Sequence, residues 1–242
     1  MAEGSGMSSD ENTIQVNFSR ALPLFPLDQV TLLPQQVLPL HIFEPRYRQM
    51  VSDALDGAGQ IAMAVFQGKR WKQEYHGRPP VRPAVCIGHI AQHEKLPDGR
   101  FNLVLRGVCR AKVVREVPAP EGRLYREAML EPIGLSQDET PLLARLRTAL
   151  ETRLDRGTLK RLAQADTLLE FIRDDDIPTT ALLELISFTL VEDKEKRYRL
   201  LEEADADARA RLVEIELRGL DRLIRLALPQ TGEKYPRGYT PN

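Results

Sequence analysis

The chain has 242 residues, 34 basic and 35 acidic side chains, a formal net charge of −1 and 42% hydrophobic residues. That length can bury one large core or two small ones. The near-neutral balance excludes a dedicated nucleic-acid binder, whose electrostatic term needs a basic excess, although it leaves room for a local basic patch. No run reaches the roughly 20 apolar residues of a membrane span. The opening MAEGSGMSSDENT lacks the basic and apolar regions of a signal peptide. Cys86 and Cys109 are too few for a disulfide framework, so a cytoplasmic protein with free thiols is expected.

In chain order, residues 1–19 are small and polar and read as a flexible tail. Leu22–Leu27 and Val37–Phe43 are apolar runs bounded by prolines, and read as strands whose corners proline fixes. Pro45 then opens a helix, with Glu44 at the positive end of its dipole. Tyr47, Met50, Val51, Ala54 and Leu55 fall on one stripe that must pack on a sheet, and Asp56-Gly57 ends the helix. Gln60–Phe66 is nearly all apolar, as in a strand covered on both faces. Ala84–Glu94 is the next strand. Pro97-Asp98-Gly99 is a hairpin turn, after which Phe101, Leu103 and Leu105 alternate with more exposed positions. Cys109–Val117 and Leu124–Ile133 read as two further strands.

Near Gly134 the hydrophobic period changes from two to about 3.6. Thr140-Pro141 is a cap and first helical position for a stripe of Leu143, Leu146, Leu150 and Leu154, which Gly157 stops. A second apolar stretch runs from Leu159 to Ile172. Asp174-Asp175-Asp176 breaks the chain, and Pro178 starts a helix through Leu190. Asp193 caps the next, and a long helix from about Asp205 to Leu228 carries Val213, Leu217, Leu220 and Ile224. Residues 229–242 read as a second flexible tail.

LPLFPLDQVTLLPQQVLPLHIFEPRYRQMV at 22–51 and IGHIAQHEKLPDGRFNLVLRGVCRAKVV at 87–114 resemble the Lon amino-terminal, or Lon substrate-binding, domain family. IPTTALLELISFTLVEDKEKRYRLLEEADADARARL at 177–212 matches more loosely, and the resemblance spans roughly residues 20–228. It implies an α+β fold: an N-terminal PUA-like β pseudo-barrel with one packed helix at 20–134, then a C-terminal α-helical bundle at 135–228. The period change leads to the same division. A full Lon protease continues into ATPase and protease domains, whereas the match here is to the binding half. No G-x-x-x-x-G-K-[ST] occurs, Met63 standing five residues before Gly68. Ser187 and Lys194 fall on one helical segment but about two turns apart, too far for a nucleophile–base contact. The expectation is a protein without catalytic activity or cofactor.

Four constellations invite a site. Cys86-x-x-His89-x-x-x-His93 has metal-like spacing, but on a strand Cys86 faces away from the two histidines and a fourth ligand is missing, so no metal is expected. His41 reads as a hydrogen-bonded core or rim histidine. Glu44, Arg46 and Arg48 fit helix-start electrostatics. The polar loop at 67–83 offers Lys69, Arg70, Trp71, Lys72, Tyr75 and Arg78 as partner-binding residues: cations interleaved with aromatics can stack bases or form a protein hot spot. The same residues also fit a solvated insertion whose aromatics fold onto the barrel. The resemblance favours recognition of unfolded or tagged polypeptides, or an adaptor working with a protease or chaperone; an RNA-binding PUA-like module is the alternative. The apolar face of the last helix offers a route to a homo-oligomer.

Overall fold

The computed structural model describes residues 14–227 apart from 29, 69, 74–76 and 137. The expected tail at 229–242 and residues 1–13 lie outside the described residues. Ile14–Ser19 were expected within the first tail, but Val16 and Phe18 pack against the barrel core and Gln60 Nε2 donates to Gln15 O at 2.7 Å.

The chain divides between Ile133 and Gly134 into two units. The first holds β1 (Leu22–Leu27), β2 (Val37–Ile42), α1 (Pro45–Leu55), β3 (Gln60–Val65), β4 (Ala84–Lys95), β5 (Phe101–Val117) and β6 (Arg126–Pro132). β1 runs parallel to β3, and the remaining pairings are antiparallel. The order β5-β4-β3-β1-β6 closes on itself through a β5–β6 pairing, while β2 lies outside the ring along the first half of β5. Closure removes most of the unpaired edge that an open sheet presents.

Small side chains make so narrow a ring possible. Ala62, Ala64, Ala111 and Ala128 share the interior with Leu22, Leu24, Val85, Ile87 and Leu130. Alternation leaves Phe25, Ile61 and Met63 for the other face, which α1 covers. Tyr47, Met50, Val51 and Ala54 of α1 are buried there, and Tyr47 meets Phe25 edge-on at 4.6 Å. Burying Met50 and Val51 contributes on the order of 1.5–3 kcal/mol each.

The expected strands at 101–106 and 109–117 are one continuous strand. Gly107 does not break it: a Cβ there would strike Leu33 O, and the backbone exchanges bonds with the preceding turn, Gln35 N to Gly107 O at 2.9 Å and Gly107 N to Gln36 O at 2.8 Å. The hairpin forms as expected, with Gly99 at φ 81° and its N–H on Leu96 O at 2.9 Å.

In the second unit, α2 (Pro141–Asp155), α3 (Ala165–Arg173), α4 (Thr179–Leu190), α5 (Lys194–Glu202) and α6 (Ala206–Ala227) form the helical part. Thr140 Oγ1 accepts from Leu143 N at 3.1 Å and Asp193 from Lys196 N at 2.9 Å, as their capping positions require. The apolar stretch at 159–172 is divided: a 3₁₀ turn at Thr158–Arg161 precedes α3. Ser187 and Lys194 are not on one helix, because α4 ends before the extended Val191 and α5 starts at Lys194. A buried ion pair crosses this unit: Arg209 Nε lies 3.5 Å from Glu184 Oε1, at 2% and 7% side-chain exposure. No helix among the described residues is long and apolar enough to cross a membrane.

Candidate functional site

A cleft of about 750 Å³ opens on the first unit, walled by β1, the start of α1, the loop ahead of β6 and the end of the 67–83 loop. Leu24, Pro26 and Tyr47 line it, and Phe43 and Leu124 stand 61% and 59% exposed at it. Large apolar side chains exposed beside a concavity are the usual mark of a binding surface.

The walls are held by side-chain contacts to backbone. Gln49, on α1, donates from Nε2 to Gly122 O at 2.9 Å and accepts at Oε1 from Leu124 N at 2.7 Å. One turn further on, Asp53 accepts from Tyr125 Oη at 2.9 Å. Tyr125 is buried, and that burial, reinforced by the Asp53 carboxylate, pushes its phenol well above the usual range. Tyr47 Oη donates to Pro26 O at 3.4 Å. Leu124 and Tyr125 are thus carried on a loop pinned to the helix that packs on the barrel.

Arg46, Arg78, Arg123 and Arg126 also line the cleft. Arg46 pairs with Glu44 at 3.0 Å and lies over the Tyr47 ring at 4.5 Å. Arg123 pairs with Glu127 and lies 5.3 Å from the Tyr125 ring centroid. Arg126 grips Glu116 with two nitrogens, Nε to Oε2 at 2.9 Å and Nη2 to Oε1, while its Nη1 donates to Pro79 O at 2.8 Å. Arg78 is exposed and makes no hydrogen bond or ion pair among the described residues.

The candidates in the 67–83 loop separate. Gln67 N donates to Pro80 O and Arg82 N to Val65 O, both at 2.8 Å, so the loop's ends form a clasp against the barrel. Trp71 is half-buried and stacks flat on Phe66, with centroids 5.1 Å apart and planes 2° from parallel. Lys72 is exposed, 5.7 Å from the Trp71 ring. Of Trp71, Lys72 and Arg78, whose side chains are described, Arg78 lines the cleft. Lys69, Tyr75 and the side chain of Arg70 lie outside the described residues.

Sequence reading missed Leu124 and Tyr125 by placing them in a strand from Leu124 to Ile133. The strand starts at Arg126, because Pro118, Pro120 and Gly122 (φ 83°) shape a loop that extends to Tyr125. Those turn residues were the available signal. Phe43 likewise falls one residue past the end of β2.

The other constellations do not assemble a reactive centre. Register shifts between Ile87 and Gly88 and between Ile90 and Gln92 interrupt the strand alternation from Cys86 to His93, so simple parity does not describe that trio. No three His, Cys, Asp or Glu come together in a metal-holding group among the described residues. His41 is an exposed rim histidine, with Nδ1 2.7 Å from Asn102 Oδ1 and its ring 6.3 Å from Phe43. Ser187 is buried and donates to Leu183 O at 2.6 Å. Burial pushes the Cys109 thiol up to about 11, which keeps it protonated near neutral pH.

The chain is 26% identical over 196 residues to Lon protease 2 of Herpetosiphon aurantiacus, covering 81% of this chain and 23% of that protein. It is 26% identical over 150 residues to Lon protease 1 of Syntrophobacter fumaroxidans, covering 61% and 17% respectively. It therefore spans about a fifth of the length of these relatives. Among solved structures, the N-terminal domain of Mycobacterium avium complex Lon protease superposes with a TM-score of 0.62 at 18% identity, over 81% of this chain and 97% of that one. The Lon N-terminal domain protein from Xanthomonas campestris gives 0.56 at 22% identity, over 81% and 98%. Residues 21–218 match the model of the ATP-dependent protease La (LON) substrate-binding domain, and the chain belongs to that family.

Proposed function

We propose that this chain is a non-catalytic recognition protein of the cytoplasm that holds unfolded or tagged polypeptide segments in the barrel cleft and presents them to a protease or chaperone. One observation carries the reading: Phe43 and Leu124 stand exposed over a concave surface whose loop is tied to α1 by Gln49 and Asp53. Preorganised apolar surface of this kind lowers the ordering cost of binding. Membership of a substrate-binding family supports the same conclusion. The cleft's charges do not add support for RNA, since three of its four arginines are tied to Glu44, Glu127 and Glu116 and cannot neutralise a run of phosphates without releasing them.

The test is binding of peptides of graded apolar content, read by fluorescence anisotropy. Affinity should rise with apolar content, and Phe43→Ser combined with Leu124→Ser should weaken it about tenfold or more. Affinity unrelated to apolar content, or untouched by the double substitution, would remove the cleft from this role.

A further inference from the structure

Resting on the polypeptide-binding reading above, we propose that the cleft prefers segments in which a large apolar side chain is flanked by an internal Asp or Glu, with Arg78 as the residue that donates to the carboxylate.

The cleft's charges favour an acidic ligand. Four arginines line the cleft against one lining carboxylate, Glu44. Arg46 is answered by Glu44, Arg123 by Glu127 and Arg126 by Glu116. Arg78 is the remaining cation, exposed, with no ion-pair or hydrogen-bond partner among the described residues. Among the described residues, the cleft therefore sets one uncompensated positive charge beside apolar walls. α1 also begins in this wall at Pro45, and the positive end of its dipole has the same sign. A basic flank on the ligand would meet a like charge there, and a neutral flank would leave the guanidinium to water. A carboxylate can take two of its planar N–H donors at once.

The carboxylate is assigned to a side chain because the start of α1 does not present a run of free backbone donors. Capture of a chain's C-terminal carboxylate relies on successive backbone N–H groups. Pro45 has no N–H, and the N–H groups of Tyr47 and Arg48 are bonded to Glu44 O at 3.0 and 2.9 Å. The cation beside the apolar walls is a guanidinium on a clasp loop, reachable by a side chain of a strand passing through.

The experiment uses the full chain and fluorescent peptides with blocked ends. They share a Leu-Phe core flanked by Glu, Gln or Lys, and a fourth carries the Gln flanks with a free C-terminal carboxylate. The Glu peptide should bind about fivefold tighter than the Gln peptide, with Lys weaker again, and the gap should narrow as salt is raised. In Arg78→Gln the Glu and Gln peptides should bind with equal affinity, the Glu peptide having lost about fivefold more than the Gln peptide. Arg78 is exposed, so the substitution leaves the fold intact, as circular dichroism can verify. Equal binding of Glu and Gln peptides, or equal weakening of both by Arg78→Gln, overturns the acidic preference while leaving polypeptide binding standing. Tightest binding by the free-carboxylate peptide overturns the internal-acid assignment. If none of the four binds, the polypeptide reading fails as well.

Discussion

The side-chain amide of Gln49 closes a ring with the backbone beside Leu124: its oxygen accepts from Leu124 N at 2.7 Å while its nitrogen donates to Gly122 O at 2.9 Å. A single residue of α1 thereby sets the position of an exposed leucine 75 residues away in sequence. Gln49→Leu removes both bonds and should cost about 1–2 kcal/mol of stability. It should also weaken apolar peptides several-fold, because the loop must then be ordered on binding. Gln49→Glu separates the two bonds, since a carboxylate keeps the acceptor for Leu124 N but faces Gly122 O without a donor. Its stability should be no higher than that of Gln49→Leu plus one hydrogen bond, as denaturant titration of the three proteins will show.

Tyr125 makes stability depend on alkaline pH. Burial first, and the Asp53 carboxylate second, raise its pKa above the ordinary 10.0. The folded state therefore holds this proton where the unfolded chain has lost it. The contribution is complete below about pH 10 and is lost as pH rises from there toward the folded value. Tyr125→Phe keeps the ring and deletes the titration. It should cost about 1 kcal/mol at neutral pH through loss of the bond to Asp53, and its stability should fall less than that of the wild type between about pH 8 and about pH 11. Denaturant midpoints measured at the two pH values decide this; parallel loss in both proteins would show that other groups control the alkaline limb.

The helical unit depends on Arg209 more than on any of its surface ion pairs. Its guanidinium is buried, with Nε 3.5 Å from Glu184 and Nη1 donating to Glu203 O at 3.0 Å and Ala204 O at 2.8 Å. Arg209→Leu takes the guanidinium from Glu184 and its donor from the Glu203 and Ala204 carbonyls, and should cost about 3 kcal/mol or more. Adding Glu184→Leu removes the buried carboxylate but does not restore the carbonyls' donor, so recovery should be partial. A double-mutant cycle by thermal or chemical unfolding measures the difference.

Trp71 is the chain's single tryptophan, and its fluorescence reports on the clasp. Stacking on Phe66 at 5.1 Å shields one face of the indole. Phe66→Leu should move its emission to longer wavelength. Trp71→Ala should lower stability by about 1–2 kcal/mol through lost stacking and burial. Peptide affinity should change less than in the Phe43 and Leu124 variants, because Trp71 does not line the cleft. A larger loss in Trp71→Ala than in those variants would move the binding surface onto the clasp.

The elements of this fold were legible wherever a local signal was strong. Pro45 after an apolar strand, the Thr140-Pro141 and Asp193 caps and the Pro97-Asp98-Gly99 turn each act within a few residues, and each element appears where they point. The continuity of β5 was hidden because Gly107 resembles a strand end until the approach of Leu33 is known. The site was less legible for a related reason. Trp71 stands out in the sequence through the cations around it, whereas its position is fixed by stacking on Phe66. Leu124 reads in the sequence as the first residue of a strand, although β6 begins at Arg126. Its exposure depends on Gln49, which is polar and far away in sequence. Among the described loop residues singled out from composition, Arg78 lies in the cleft wall, since the backbone contacts at Gln67, Pro79 and Pro80 orient that end of the loop.

The closing seam of the barrel has a kinetic consequence. Leu22 pairs with Ala128, so the first strand made is bonded to the last one made in its unit. During synthesis β1 can pair with β3 early, but its other edge stays open until residues 126–132 have left the ribosome. Contacts so distant in sequence slow folding, and an uncovered edge rich in leucine is prone to adhere to other chains meanwhile. Leu27 O accepts from Phe66 N on the β3 side, so Pro26, of opposite parity, faces the open edge and lacks the N–H a foreign strand would use there. Pro26 therefore guards the nascent chain during the interval in which its own partner does not yet exist.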